Sequence, residues 1–217
     1  MARVDDYQQA CDLARKDLAP KKPDLLAGYA GASIQRDDEG TTFFILKFLA
    51  RVIKVNWPDL SFTLGEPEKG LSLQEQVLLL HYLKGSWETR GATPTGEWVA
   101  FQDIPDGRFY LDAFQKRAKL PLLKAFGEQP DRLQNLAAQA YGAAPIELGD
   151  VAVRVDALPL VPLVLTLWKG DDEFPPEGSL LFDRNISGLF SAEDVAWLAG
   201  MVVYPLIALA QEKGDQH

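Results

Sequence analysis

Two short stretches hold side chains whose types could do chemistry. In LLLHYLKGSWE, His81 and Tyr82 sit inside a run of leucines, and in the following PTGEWVAF the residues Thr95, Glu97 and Trp98 come within four positions. An imidazole among aliphatic neighbours can serve as a general base or as an axial ligand to a metal cofactor. A carboxylate beside an indole can be held protonated by apolar surroundings, as a general acid requires. His81 and Glu97 are therefore a candidate acid/base pair, and the chain is a candidate small-molecule enzyme on that reading. The ordinary alternatives carry more weight. His81 reads as a core histidine bonded to a carbonyl or carboxylate, because an unpaired buried polar group costs about 1–3 kcal/mol. Glu97 reads as a solvent-facing residue opposite an inward Trp98 on a strand.

A third stretch, LWKGDDEFPPEGSLLFD, places Trp168, Asp171, Asp172, Glu173, Phe174 and Asp183 around a proline-stiffened acidic loop. Hard cations take clustered carboxylates on loops, but a calcium loop needs ligands at alternate positions around a central glycine, and this run lacks that spacing. A solvated acidic loop is the plainer reading. No metal ligand set is expected. The single cysteine, Cys11, forbids an internal disulfide, a four-thiolate zinc site or an iron–sulfur cluster, and the only histidine besides His81 is His217. The loop Gly85, Gly91, Thr93, Pro94, Thr95, Gly96 lacks the lysine-serine/threonine ending of a phosphate cradle, and no dinucleotide fingerprint or serine elbow occurs.

The elements that must position these residues follow from periodicity. A helix is predicted over Asp5 to Leu18, with Cys11 on its apolar stripe, ended by PKKP at 20–23. Two or three antiparallel strands are predicted between 32 and 62, then a loop GEPEKG at 65–70. Ser72 with Glu75 forms a capping box that opens a helix to about Lys84, with Gly85 as its stop. WVAF (98–101) and RFYL (108–111) are expected strands, 112–126 and 130–140 helices, and 152–158, 161–168 and 179–183 strands. Ser191, with Asp194, caps the last helix. Without a βαβ rhythm, the fold class expected is α+β, a mixed or mainly antiparallel sheet packed with helices. A single domain over 1–217 is expected, with a helical segment at 1–31, the core at 32–205, and the end of the last helix and a tail at 206–217.

Composition bounds the partners. The 217 residues are 47% hydrophobic and carry 31 acids against 22 bases, a net charge of −9, which disfavours nucleic acid. No secretory signal is read in MARVDDYQQA, so a cytoplasmic location is expected. The uncharged run AWLAGMVVYPLIALA, 15 residues at 196–210, is short for a membrane span and contains Gly200 and Pro205. It reads as a buried or oligomer-forming helix, and 191–210 is a candidate homodimer surface.

LLLHYL, PTGEWVAF, GRFYLDAF, LLKAFG and above all VPLVLTLWKGDDEFPPEGSLLFD together resemble an uncharacterised bacterial and archaeal family, a domain of unknown function common in anaerobes. The resemblance spans about residues 40 to 205. Members of that family often carry a four-cysteine iron–sulfur module, which this sequence lacks, so an electron-transfer role does not carry over. The resemblance implies a cytoplasmic accessory protein of anaerobic metabolism, handling a tetrapyrrole, a corrinoid or a metalloenzyme partner. The positions it marks as ligand-binding candidates are His81, Tyr82, Thr95, Glu97, Trp98, Trp168, Asp171, Asp172, Glu173, Phe174 and Asp183. A non-catalytic binding module is the leading expectation, with the His81/Glu97 enzyme and a structural homodimer subunit as alternatives.

Overall fold

In the computed structural model, which describes residues 2–65 and 70–214, helices and two antiparallel sheets make an α+β fold. Most of the loop expected at 65–70 lies outside the described residues, as does His217. The chain sorts into two compact units. The first comprises residues up to Thr93 together with 158–160 and 188–190; the second comprises the remainder.

In the first unit, α1 (Ala2–Leu18) and α2 (Pro23–Tyr29) lead into β1 (Ser33–Arg36), β2 (Thr42–Phe48), β3 (Arg51–Asn56) and β4 (Phe62–Leu64), which form one sheet in sequence order. Alternation fixes which face is buried: Phe44, Leu46 and Phe48 on β2 point inward with Ile53 and Val55 on β3, and the register pairs Phe44 with Val55 and Leu46 with Ile53. Four strands thus stand where two or three were expected, because the short β4 continues the meander. Helix α2 was not anticipated; Pro23 at its first turn, where no N–H is needed, is the signal that starts it.

Helix α3 (Leu73–Glu88) begins as its capping box dictates, with the Ser72 and Glu75 side chains each satisfying the other's backbone N–H. It does not stop at Gly85. A Cβ there would lie 2.3 Å from the Leu189 carbonyl oxygen, so the missing side chain lets the 188–190 segment approach the helix, which runs on for three residues. Among the side chains that tie α3 into its surroundings, Tyr82 is fully buried. Its hydroxyl donates to the Ala30 carbonyl at 2.7 Å and accepts from the Leu160 N–H at 3.3 Å. Burial pushes this phenol well above its ordinary range, despite the Leu160 and Ser86 contacts, so it stays neutral.

In the second unit, β5 (Trp98–Ala100) is followed by a helical run: α4 (Gly107–Phe114), a wider π turn (Gln115–Lys119) and α5 (Leu120–Phe126). RFYL is therefore helical, not a strand. Phe114, Ala118, Leu122 and Phe126 recur at helical spacing and are all buried, whereas Phe109 is 87% exposed, so the stripe outweighs the β-propensity of Phe109 and Tyr110. Helix α6 (Pro130–Tyr141) precedes β6 (Ala144–Pro145), β7 (Val151–Leu158), β8 (Val161–Trp168) and β9 (Glu177–Asp183). The sheet order is β5-β9-β8-β7-β6. The seven buried residues Val161–Leu167 put β8 at its centre, the position that a continuous apolar run requires.

A short α7 (Ile186–Leu189) leads to α8 (Ala192–Gly214). Asp194 and Ser191 form its capping pair. By length and composition α8 could cross a membrane; half of its most apolar window is buried within the fold. Along α8, Val195, Leu198, Ala199, Val202, Val203 and Leu206 are buried, while Tyr204 is 53% exposed.

Candidate functional site

The residues singled out in the sequence go to four different places. The first is a clamp at the C-terminal end of β9. Asp183 is 1% exposed, and its carboxylate accepts four hydrogen bonds: from the Thr95 N–H (2.9 Å), the Thr95 hydroxyl (3.0 Å), the Gly96 N–H (2.6 Å) and the Asn185 N–H (3.0 Å). Gly96 can turn its N–H to the carboxylate because its φ is +78°, a conformation that costs a residue bearing a Cβ about 1 kcal/mol or more. Burial alone would raise the pKa of Asp183, but the backbone and hydroxyl donors outweigh it and hold the carboxyl below its ordinary range. The β5–β9 ladder then sets Trp98 opposite Asp183. Trp98 is half-buried in that ladder.

Glu97 corrects the general-acid reading. It is exposed, and both of its carboxylate oxygens accept from the Arg184 guanidinium. That pairing holds Glu97 below its ordinary range, opposite to the upward shift an acid catalyst at neutral pH needs. The apolar neighbours expected to raise it are absent because the side chain leaves the strand on the solvent side. His81 lies in the first unit and Glu97 in the second. His81 is half-buried rather than enclosed, and it is itself partnered.

The acidic loop is a turn held by one of its own acids. Asp171 accepts from the Glu173 N–H (2.9 Å) and the Phe174 N–H (2.7 Å), and these two bonds lower its pKa. Asp172 and Glu173 are exposed, with Phe174 67% and Trp168 39% exposed beside them. Among the described residues, no three His, Cys, Asp or Glu side chains converge as a metal site.

A site assembled from residues that no motif marked lies in the second unit, between α5 and α8. It is a cleft of about 800 Å³ lined by Lys116, Leu120, Pro121, Lys124, Ala125, Arg132, Ile207, Ala210 and Gln211. The volume is within the range of small-molecule pockets, about 300–1,000 Å³. Helical spacing explains the lining: Phe114, Ala118, Leu122 and Phe126 face the core, while Lys116, Leu120 and Lys124, four apart, share another side with Pro121 and Ala125. The π turn lies directly before Leu120, and such turns recur at functional sites.

Among the described residues, the lining is apolar along Leu120, Pro121, Ala125 and Ile207, and its charged members are all cations, in a chain of net charge −9. Lys116 pairs with Asp112 at 2.8 Å, and Arg132 donates to the Ala210 carbonyl. Lys124 is exposed and makes no ion pair among the described residues. A second, more polar cleft of about 600 Å³ surrounds the start of α6, where Lys169 and Asp131 approach to 3.7 Å. None of the sequence-marked positions lines either cleft. The signal that could have found the first cleft is the repeat of a lysine or leucine every fourth residue from 116, on the side opposite to the buried phenylalanines.

Residues 22–204 match a family model described as Domain of unknown function (DUF3786), and the chain belongs to that family. No curated protein and no solved structure matches it.

Proposed function

We propose that this member of the DUF3786 family is a non-catalytic binding or accessory module of the cytoplasm, and that its ligand is an organic molecule with a broad apolar body lodged between α5 and α8. The observation that carries this reading is the cleft itself, whose apolar lining is Leu120, Pro121, Ala125 and Ile207 and whose charged lining, among the described residues, is cationic. Such a lining favours an apolar body by removing its surface from water, at roughly 25 cal/mol per Å², and favours an anionic edge by charge.

The family resemblance suggests a tetrapyrrole or corrinoid, or a metalloenzyme of anaerobic metabolism, as what the module serves. A carboxylate-edged tetrapyrrole fits the lining: its face would lie on Leu120, Pro121 and Ile207, and its carboxylates would meet Lys116, Lys124 and Arg132. Among the described residues the lining contains no imidazole, thiolate or thioether, so recognition would rest on the organic part. An amide-edged corrinoid makes less use of the rim.

Titration with a metal-free porphyrin and with haem, read by visible absorbance, tests this. The expected result is a saturable band shift that Ala125→Trp, which fills the cleft, abolishes and that His81→Ala leaves intact. No shift with wild type, an equal shift with Ala125→Trp, or a shift lost only with His81→Ala would each overturn the assignment.

A homodimer built on α8 is a second reading, favoured by the half-exposed Tyr204 beside exposed Pro205 on that helix. Sedimentation at micromolar concentration tests it: a monomer there rules it out.

A further inference from the structure

We infer that the ligand of the α5–α8 cleft is a carboxylic acid with an apolar body, and that Lys124 is the residue that reads its charge. The inference rests on the binding-module reading above and specifies the chemistry of the same site.

Three cations stand at the rim, and their partners distinguish them. The Lys116 ammonium is held by Asp112 at 2.8 Å, one helical turn earlier on the exposed face. The Arg132 guanidinium is oriented by its bond to the Ala210 carbonyl, which makes it part of the wall between α6 and α8. Lys124 has no ion-pair partner among the described residues, and its flexible stem can lay methylenes along the apolar floor while the ammonium stays at the mouth. An uncommitted ammonium above an aliphatic floor complements one negative group at the end of an apolar body. Lysine presents a point charge rather than the two-pronged fork with which arginine selects phosphate or a fixed carboxylate plane. It therefore favours charge without demanding geometry, which suits a carboxylate on a body that settles by apolar contact. The residues on the α5 side, from Lys116 to Ala125, span nine residues, about 13 Å of helix rise, so the groove is long enough for an extended body. Among the described residues the charged lining is wholly cationic, which disfavours a cationic amphiphile by the same argument.

The experiment compares decanoate, decanol and decylammonium on the full chain by titration calorimetry, at low and at high salt. Decanoate is expected to bind roughly threefold to fivefold more tightly than decanol at low salt, the range an exposed ion pair supplies, with the advantage fading at high salt. Lys124→Met, which removes the charge but keeps the apolar stem, should erase that advantage with little change in decanol affinity, and Lys124→Glu should reverse the preference toward decylammonium. Equal binding of decanoate and decanol to wild type, or an undiminished decanoate advantage in Lys124→Met, would overturn the charge-reading role while leaving a cleft that binds apolar molecules. If none of the three binds, or if Ala125→Trp binds them all as wild type does, the cleft assignment fails as well. Lys124 is exposed, so both variants should fold, which their melting curves verify.

Discussion

The Asp183 clamp and the α5–α8 cleft belong to the same unit, and they differ in one respect above all. At the clamp every polar group that caught attention in the sequence is committed: Asp183 to four donors, Thr95 to Asp183 and to the Glu97 N–H, and Glu97 to Arg184. At the cleft an apolar floor and the Lys124 ammonium remain without a partner among the described residues. Committed groups hold a fold together, because breaking them leaves a desolvated donor or acceptor; uncommitted groups are available to a ligand. The density of polar and aromatic residues in a sequence thus locates architecture as readily as it locates chemistry.

The sharpest way to break this comparison is Asp183→Ala. Removing the carboxylate, itself almost fully buried, takes the acceptor from the Thr95, Gly96 and Asn185 N–H groups, of which Asn185 is buried and the other two lie on exposed residues. The expected cost is about 2–4 kcal/mol, read as a lower urea midpoint. Binding of a cleft ligand to the folded fraction should be unchanged. If the variant is as stable as wild type, the clamp is not architectural and a functional role for Asp183 reopens.

The same clamp should show itself in acid. Asp183 has a folded-state pKa below its unfolded value, as do Glu75, half-buried but bonded to Arg51 and Ser72, and Glu177, beside Lys119. A group so lowered contributes its full stabilisation above the ordinary carboxylate value of about 4, and loses it as the pH falls through the folded value. Stability should therefore be flat from neutrality down to roughly pH 5 and fall below about pH 4. Asp183→Asn should show a shallower fall across that window. An identical slope in both proteins would mean that Asp183 is not protonated on unfolding. A smaller effect is expected from Thr95→Val, which keeps the backbone bond to Asp183 but removes the hydroxyl that donates to Asp183 and accepts from Glu97. The urea midpoint should report about 1 kcal/mol.

How much of this was legible beforehand depends on whether the signal is local. The Ser72–Glu75 box, the alternation of β2 and β3 and the apolar run of β8 are written in neighbouring residues, and each gives the element it implies. The α+β class followed from the order of such signals. Gly85 misled because a glycine three residues from a helix end looks like a stop, whereas here it admits the Leu189 backbone, a contact no local reading contains. RFYL misled because its β-propensity was weighed without the stripe that begins at Phe114. Tyr82, beside His81, bonds α3 to the Ala30 and Leu160 backbone, a pairing of residues far apart in the chain that no local pattern announces. The cleft was invisible for a stronger reason: Leu120 and Ile207 lie far apart in the chain, and each helix alone is an unremarkable amphipathic segment.

Lys124→Ala is the mildest perturbation and the one that separates the two regions most cleanly. Truncating an exposed lysine with no ion-pair partner should change stability by no more than about 0.5 kcal/mol, in either direction. Removing one positive charge from a chain already at −9 adds slightly to its self-repulsion, so any change should be a small loss that grows at low salt. Asp183→Ala and Lys124→Ala then form a crossed pair: the first moves the urea midpoint and spares ligand affinity, the second spares the midpoint and moves affinity. A Lys124→Ala midpoint lowered as far as that of Asp183→Ala would mean that this ammonium is tied into the fold through a contact with the α8 end of the cleft, and the distinction between holding and binding residues would not apply to it.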